Sequence, residues 1–183
     1  MSRFLTILSF CLSAGMTHAY EQAFPKTPVG TLEVKVLPAA TLIASRGEAD
    51  YFERSDSLFR PLFRYIQAHD IAMTTPVEAE RRPGVMYFYI GGAAAGQPLP
   101  PSDGIEVVHL PQRTVLSIGV RGSYSPQNFA AGEAQLRDWL AQQDDYRAAG
   151  PARAVYWNGP FTLGLLKRSE IHLPLERCGA AAP

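Results

Sequence analysis

Leu32-Glu-Val-Lys-Val-Leu-Pro-Ala-Ala-Thr-Leu-Ile-Ala-Ser45 can be laid over Ile105-Glu-Val-Val-His-Leu-Pro-Gln-Arg-Thr-Val-Leu-Ser-Ile118 without a gap. The two stretches share a Glu, a Val, the Leu-Pro step and a Thr. Further along, Leu62-Phe-Arg-Tyr-Ile66 falls over Leu136-Arg-Asp-Trp-Leu140, and Thr75-Pro76-Val77 is mirrored by Gly159-Pro160-Phe161. Three matches in the same order argue for an internal repeat. We place the pseudo-repeats at about 31–90 and 104–175, inside one domain spanning 20–177.

Each half reads as β-β-α-β-β. Leu32 to Leu37 alternates as a strand, and Pro38 with Ala39 is expected to turn it into a second strand, Thr41 to Ser45. A helix follows with Leu58, Phe59, Leu62, Phe63 and Ile66 on one stripe. Pro61 is unwelcome deep in a helix, so Ser57 is taken as the N-cap. Ile71 to Val77 and Gly84 to Ile90 complete the first half. The second offers strands at Ile105 to Leu110 and Arg113 to Val120, then a helix opened by Ser125-Pro126 with Phe129, Leu136, Trp139 and Leu140 inward. Ala154 to Trp157 and Leu165 to Leu173 close the set, and Gly91 to Asp103 connects the halves. One such unit is too small to bury its own core. The fold class is therefore α+β: duplicated units sharing one antiparallel sheet, two helices on one face, and a ligand cleft where the halves meet.

The N-terminus sets the compartment. Arg3, the uncharged apolar run Phe4 to Met16 and the small-residue end Thr17-His18-Ala19 form a secretory signal, residues 1–19, cleaved after Ala19. Cys11 follows Phe10, which does not suit a lipid-anchor site. The expectation is a periplasmic or secreted protein. The chain holds 17 basic and 17 acidic residues, and loss of Arg3 leaves 16 against 17. That balance gives no electrostatic footprint for nucleic acid or an anionic membrane. No later apolar run could span a bilayer. After cleavage only Cys178 remains, at the start of a Gly/Ala-rich tail over 178–183 read as flexible, so no intramolecular disulfide supports the fold.

Ile71-Ala-Met-Thr-Thr-Pro-Val77 resembles the Met-Thr-x-Pro-Val signature of the SOUL heme-binding protein family. The aromatic strand Met86-Tyr-Phe-Tyr-Ile90, the segment Tyr156-Trp-Asn-Gly-Pro-Phe161 and Lys167-Arg-Ser-Glu-Ile171 look like that family's later segments. The likeness runs from about Leu32 to Leu175. It implies a duplicated β-β-α-β-β fold, binding of heme or a related tetrapyrrole, and no catalytic set. The second half is also similar to GyrI-like effector-binding domains, whose terminal Glu-Ile-x-Ile-Pro looks like Glu170-Ile-His-Leu-Pro174 and whose Glu projects into the ligand cleft. Two departures lie near the cleft: the loop before the motif has shrunk to Gln67-Ala-His-Asp70, and Ser169 stands where the family usually has Asn.

No Cys-x-x-Cys-His is present, so covalent heme attachment through that motif is excluded. His-Glu-x-x-His, Gly-x-Ser-x-Gly and phosphate-loop patterns are also missing. Strand alternation puts Arg168, Glu170 and His172 on one face of the last strand, with Ile171 and Leu173 on the other beneath the helices. The first three are expected as a polar wall on the open side, or as solvated surface. Met73 and Tyr87 are candidates for its apolar surface or for core packing. Lys167 and Arg168 are the nearest cations for heme propionates. For iron, His172 is preferred and His69 is the alternative, since His109 occupies the repeat position of Val36 and reads as strand-end or core. The leading expectation is an exported, non-enzymatic binder of non-covalent heme or a related tetrapyrrole. The second is a GyrI-like carrier or sensor of other amphipathic small molecules. The third is an enzyme acting on such a ligand.

Overall fold

The computed structural model describes residues 21–159 and 161–179. The expected signal segment with its cleavage point, and the end of the tail, lie outside these residues. The strands are β1 Glu21–Gln22, β2 Leu32–Leu37, β3 Ala40–Arg46, β4 Thr74–Thr75, β5 Val77–Glu80, β6 Val85–Tyr89, β7 Glu106–Leu110, β8 Arg113–Arg121, β9 Tyr146–Ala148, β10 Arg153–Tyr156 and β11 Arg168–Arg177. The helices are α1 Tyr51–Ala68 and α2 Pro126–Leu140. Nine strands form one antiparallel sheet in the order β2-β8-β11-β10-β5-β6-β3-β7, with β9 also on β11, while β1 and β4 form a separate parallel pair.

The α+β class stands, but the expected β2–β3 hairpin does not form. Leu32 pairs with Ile118 on β8, whereas Thr41 pairs with His109 on β7. Only Pro38 and Ala39 separate β2, at one edge of the sheet, from β3, next to the opposite edge. Two residues reach about 10 Å at most. Pro111 and Gln112 make the same short crossing from β7 to β8. The sheet must therefore curl until its edges lie side by side. Proline at each crossing suits a turn out of the ladder, since it donates no N–H. If β2, β3, β5 and β6 are set against β7, β8, β10 and β11, the strand order reads the same from either end.

Curling gives the sheet an outer face and an inner face. The outer face carries both helices: α1 lies on β3 and β6, and α2 on β8 and β11. Its apolar core joins Leu58, Leu62 and Ile66 of α1 to Phe129 and Leu136 of α2 over Ile43, Phe88, Leu116, Ile171 and Leu173. Gly132 is where α2 meets the sheet, since a Cβ there would stand 2.7 Å from the Ile171 side chain. The inner face is also buried, around Phe24, Leu37, Leu42, Tyr87, Tyr89, Val115, Val155 and Trp157.

Ser125 caps α2 as expected, its hydroxyl accepting from the Asn128 N–H at 3.2 Å with Pro126 following. For α1 the expectation fails. Asp50 is the N-cap, Oδ1 accepting from the Phe52 N–H at 3.0 Å, and Pro61 lies inside the helix. The helix breaks at Arg54, where φ is −131° and ψ 16°, and Ser57 instead donates its hydroxyl to the Arg54 carbonyl. Pro61 is tolerated because the N–H it lacks would have met the carbonyl of exposed Ser57, which water can solvate. Phe63, expected in the stripe, is exposed and stacks on Phe59 at 5.5 Å. The last strand begins at Arg168 because Phe161 to Leu166 form a loop.

Leu62 and Leu136 are each 0% exposed beneath the two helices. Truncation of either to alanine removes core volume that neighbours only partly refill. Leu62→Ala and Leu136→Ala are each expected to cost about 2–5 kcal/mol in a denaturant titration.

Candidate functional site

Of the three residues expected as the polar wall of an open cleft, Glu170 and His172 sit inside the curled sheet, and Arg168 stays exposed. Strand alternation places them as expected: Ile171 and Leu173 join the helix-side core. The inner side they leave to Glu170 and His172 is closed, however, and these two are 1% and 2% exposed. For Glu170 and His172 this corrects both readings, open polar wall and solvated surface. The closing elements are β2, drawn over by the short crossing, and the segment after β1. Phe24 enters between Trp157 and Tyr89, its ring 5.4 Å and 5.7 Å from theirs and 5.7 Å from that of His172.

A buried carboxylate must be saturated with donors. Glu170 accepts from Lys35 Nζ at 2.7 Å, Trp157 Nε1 at 2.7 Å, Thr27 N at 2.8 Å and Thr27 Oγ1 at 3.1 Å. Ser117 Oγ at 3.0 Å and His172 Nε2 at 2.8 Å complete the set. Burial pushes the Glu170 carboxyl up. The His172 hydrogen bond, with those of Lys35 and the Lys35 charge, outweighs it and holds the carboxyl at about 2. Burial pushes His172 below its ordinary value. The imidazole is therefore neutral near pH 7, with Nε2–H donating to Glu170 and Nδ1 buried without a partner.

A second carboxylate lies in the same interior. Glu78 is 1% exposed and bonded by Arg113 and Arg153, each at 2.8 Å, and by the Tyr89 hydroxyl. Burial pushes its carboxyl up, but the charges of the two guanidiniums win and hold it below the usual range. Tyr87 donates to Glu80 at 2.8 Å within this group. The inside of the sheet is thus a packed polar and aromatic interior.

The other candidates are not brought together. Met73 packs on the helix-side core and Tyr87 on the inner one, so no common apolar surface exists. Lys167 lies with Nζ 4.8 Å from the Tyr124 ring centre, and Arg168 is exposed where β11 begins. His172 has no route to an iron, being buried with Nε2 committed. His69 caps the C-terminal end of α1 and borders a small cleft of about 320 Å³ with Arg64, Tyr65 and Asp103. His109 is exposed rather than in the core, as is Val36 at 57%. Among the described residues no group of three or more His, Cys, Asp or Glu could hold a metal ion.

A larger cleft, about 600 Å³, opens where β1, the β2–β3 crossing and the end of β7 meet. Its wall is mostly small and apolar, including Ala23, Pro38, Ala40, Ile90 and Leu110, with Glu21, Thr41 and His109 among the polar members. His109 Nδ1 lies 3.1 Å from Thr41 Oγ1. From the sequence His109 reads as strand-end or core because it occupies the repeat position of Val36; its place in this wall depends on the pairing of β7 with β3, which no local pattern reveals.

The family profile described as SOUL heme-binding protein matches residues 17–174. The chain belongs to the SOUL heme-binding protein family. No curated protein shows significant sequence similarity to it. Among solved structures, the EcmrR C-terminal domain is similar at a TM-score of 0.66 and 15% identity, over 81% of this chain and 98% of that one. The chain spans 58% of EcmrR in its DNA complex, which is also similar at a TM-score of 0.66 and 15% identity over 81% of this chain. A protein from Listeria innocua described as a hydrolase is similar at a TM-score of 0.54 and 10% identity, over 82% of this chain and 94% of that one. At such identities these likenesses show the fold. The SOUL family itself is one of binding proteins.

Within this SOUL domain, Glu170→Ala would leave Trp157 Nε1 and the Thr27 N–H buried without an acceptor and would strip Lys35 of its buried counter-charge, leaving its ammonium on the Pro25 carbonyl and the Thr27 hydroxyl. We expect a loss of about 3–5 kcal/mol at neutral pH. Stability should also be acid-sensitive. The depressed His172 contributes fully above 6.5 and loses its contribution as the pH falls below that value, because only the unfolded imidazole protonates readily. The Glu170 contribution is present above 4.5 and is lost as the pH falls through about 2. Denaturant titrations across this range should show stability declining below 6.5 and more steeply below 4.5, with the second decline shallower in the Glu170→Ala variant, where Glu78 remains to supply it.

Proposed function

We propose that this SOUL chain is exported and holds heme or a related tetrapyrrole without a covalent bond in the 600 Å³ cleft. The observation that carries the reading is His109 in the wall of that cleft. Thr41 Oγ1 lies where it can accept from an Nδ1–H, the tautomer that would leave the Nε2 lone pair for a metal. The mostly apolar wall suits the macrocycle, and the volume falls in the range of small-molecule sites. His109 would hold such a group through Nε2, and heme would supply an iron centre there. Of the histidines named from the sequence, His172 does not fit this role, and His69 lies outside the lining. Lys167 and Arg168, expected as propionate anchors, also lie outside it. The cleft opens to solvent, where carboxylates keep their hydration.

Glu21 favours a second reading at the same place. Its carboxylate reaches the backbone around Gly91, where a Cβ would stand 2.9 Å from Oε2. A carboxylate in an apolar wall suits a cationic amphipathic molecule better than a dianionic porphyrin, which would make the chain a carrier or sensor.

Hemin titrated into the purified protein should shift its Soret band. His109→Ala should weaken binding at least tenfold and remove the imidazole-ligated spectrum, and His69→Ala should leave both unchanged. A Soret shift unaffected by His109→Ala overturns this cleft as the iron site. Failure to bind hemin, with uptake of a lipophilic cation that Glu21→Gln abolishes, selects the second reading. For export, the intact mass of protein recovered from outside the cytoplasm should correspond to a chain beginning at Tyr20.

A further inference from the structure

A different region carries an inference that stands whether or not heme is the ligand. Between β10 and β11, Phe161 is 99% exposed, Leu163 72%, Leu165 85% and Leu166 58%. Single exposed apolar residues are ordinary. Four large ones within six positions, with no core beneath them, are not.

The loop holds this shape because its base is pinned. The Trp157 N–H donates to the Arg168 carbonyl at 3.1 Å, and the Arg168 N–H to Asn158 Oδ1 at 2.6 Å. The Tyr124 hydroxyl donates to the Arg168 carbonyl at 3.0 Å and accepts from the Asn158 N–H at 2.9 Å. A 3-10 turn over Gly164–Leu166 closes with the Lys167 N–H on the carbonyls of Leu163 and Gly164. Gly164 packs against the β8–α2 connection, where a Cβ would fall 2.5 Å from Ser123 Oγ. The apolar side chains are thus presented outward from a fixed stem.

Cations surround the stem. Lys167 lies over Tyr124, and Arg168 is the register partner of Arg121 across β11 and β8. Lys26 sits with Nζ 5.0 Å from the Trp157 ring centre. Among the described residues none of these four forms an ion pair with a carboxylate. The balanced overall charge therefore conceals a local basic collar around an apolar tip. That pairing matches the two layers of an anionic bilayer surface, acyl chains under phosphate headgroups. No helix among the described residues is long and apolar enough to span a bilayer, so the contact is an interfacial one.

We propose that the 161–166 loop inserts into the surface of an anionic lipid bilayer while Lys26, Arg121, Lys167 and Arg168 engage the headgroups. A lipid-facing loop would let the domain collect an amphipathic ligand from the membrane, where such molecules partition.

The test is co-sedimentation of the purified protein with phosphatidylglycerol-rich vesicles and with pure phosphatidylcholine vesicles. Binding to the anionic vesicles should be at least tenfold stronger and should weaken as salt rises. The Phe161→Ser/Leu165→Ser double variant should lose at least tenfold in partitioning. Lys167→Ala/Arg168→Ala should reduce binding to the anionic vesicles selectively. These residues are at the surface, so thermal melts should match the parent and exclude unfolding as the cause. Failure to bind anionic vesicles at low salt, or equal binding by the double variant, overturns the proposal. So does a concentration-dependent dimer in sedimentation velocity that the double variant abolishes, which would assign the loop to a second copy of the chain. Hemin binding in lipid-free buffer that the double variant abolishes overturns it too, by making the loop the ligand's own contact. Vesicle binding unaffected by His109→Ala would separate this surface from the cleft.

Discussion

The ionised carboxylate of Glu170, almost without solvent, is the constraint around which this domain is organised. A charge in that position is tolerable only if every lone-pair direction is met by a donor. The donors come from separate parts of the chain: Thr27 after β1, Lys35 on β2, Ser117 on β8, Trp157 after β10 and His172 on β11 itself. Each must be at its place before the carboxylate can be buried. The interaction therefore specifies which strand lies beside which, more than it adds net stability. Glu78, between Arg113 on β8 and Arg153 on β10, imposes a similar demand on the same interior.

These two carboxylates explain why the inner face of the sheet is not a binding cavity. With Phe24, Trp157 and Tyr89 packed across it, the volume is occupied by the protein's own aromatic rings. Space for another molecule is displaced to the rim, where the β2–β3 crossing and the β1 segment leave an open cleft with His109 and Glu21 in its wall. Closing the interior and opening the rim are thus one arrangement of the N-terminal segment.

What could be read from the sequence follows the range of the forces involved. The start of α2 was legible because capping by Ser125 and Pro126 is decided within four residues. Strand alternation likewise sorted Ile171 and Leu173 from Glu170 and His172. The partner of β2 was not legible: Leu32 finds Ile118, and nothing local distinguishes that pairing from a hairpin around Pro38. The error carried into the site. A hairpin would leave the Glu170 face open, whereas the crossing brings Lys35 onto it and buries it. In β2 the charged residues Glu33 and Lys35 take the inner side, and Val34 and Val36 are left exposed at 37% and 57%. Alternation alone gave the period but not the direction. Asp50 was passed over as a cap for α1 because Pro61 argued for a later start, and the solvent exposure of Ser57 is visible only in the folded chain.

The exchange of first strands between the halves has a consequence in time. During synthesis β2 emerges early, yet its ladder partner among the described residues is β8, more than a third of the chain later, and β8 in turn borders β11. Contacts between such distant segments form slowly, because loop closure comes before any gain from pairing. No nascent portion can complete the sheet or bury Glu170 before β11 has been made. The sheet consequently closes only once β11 has been made, and until β8 is available β2 waits without a ladder.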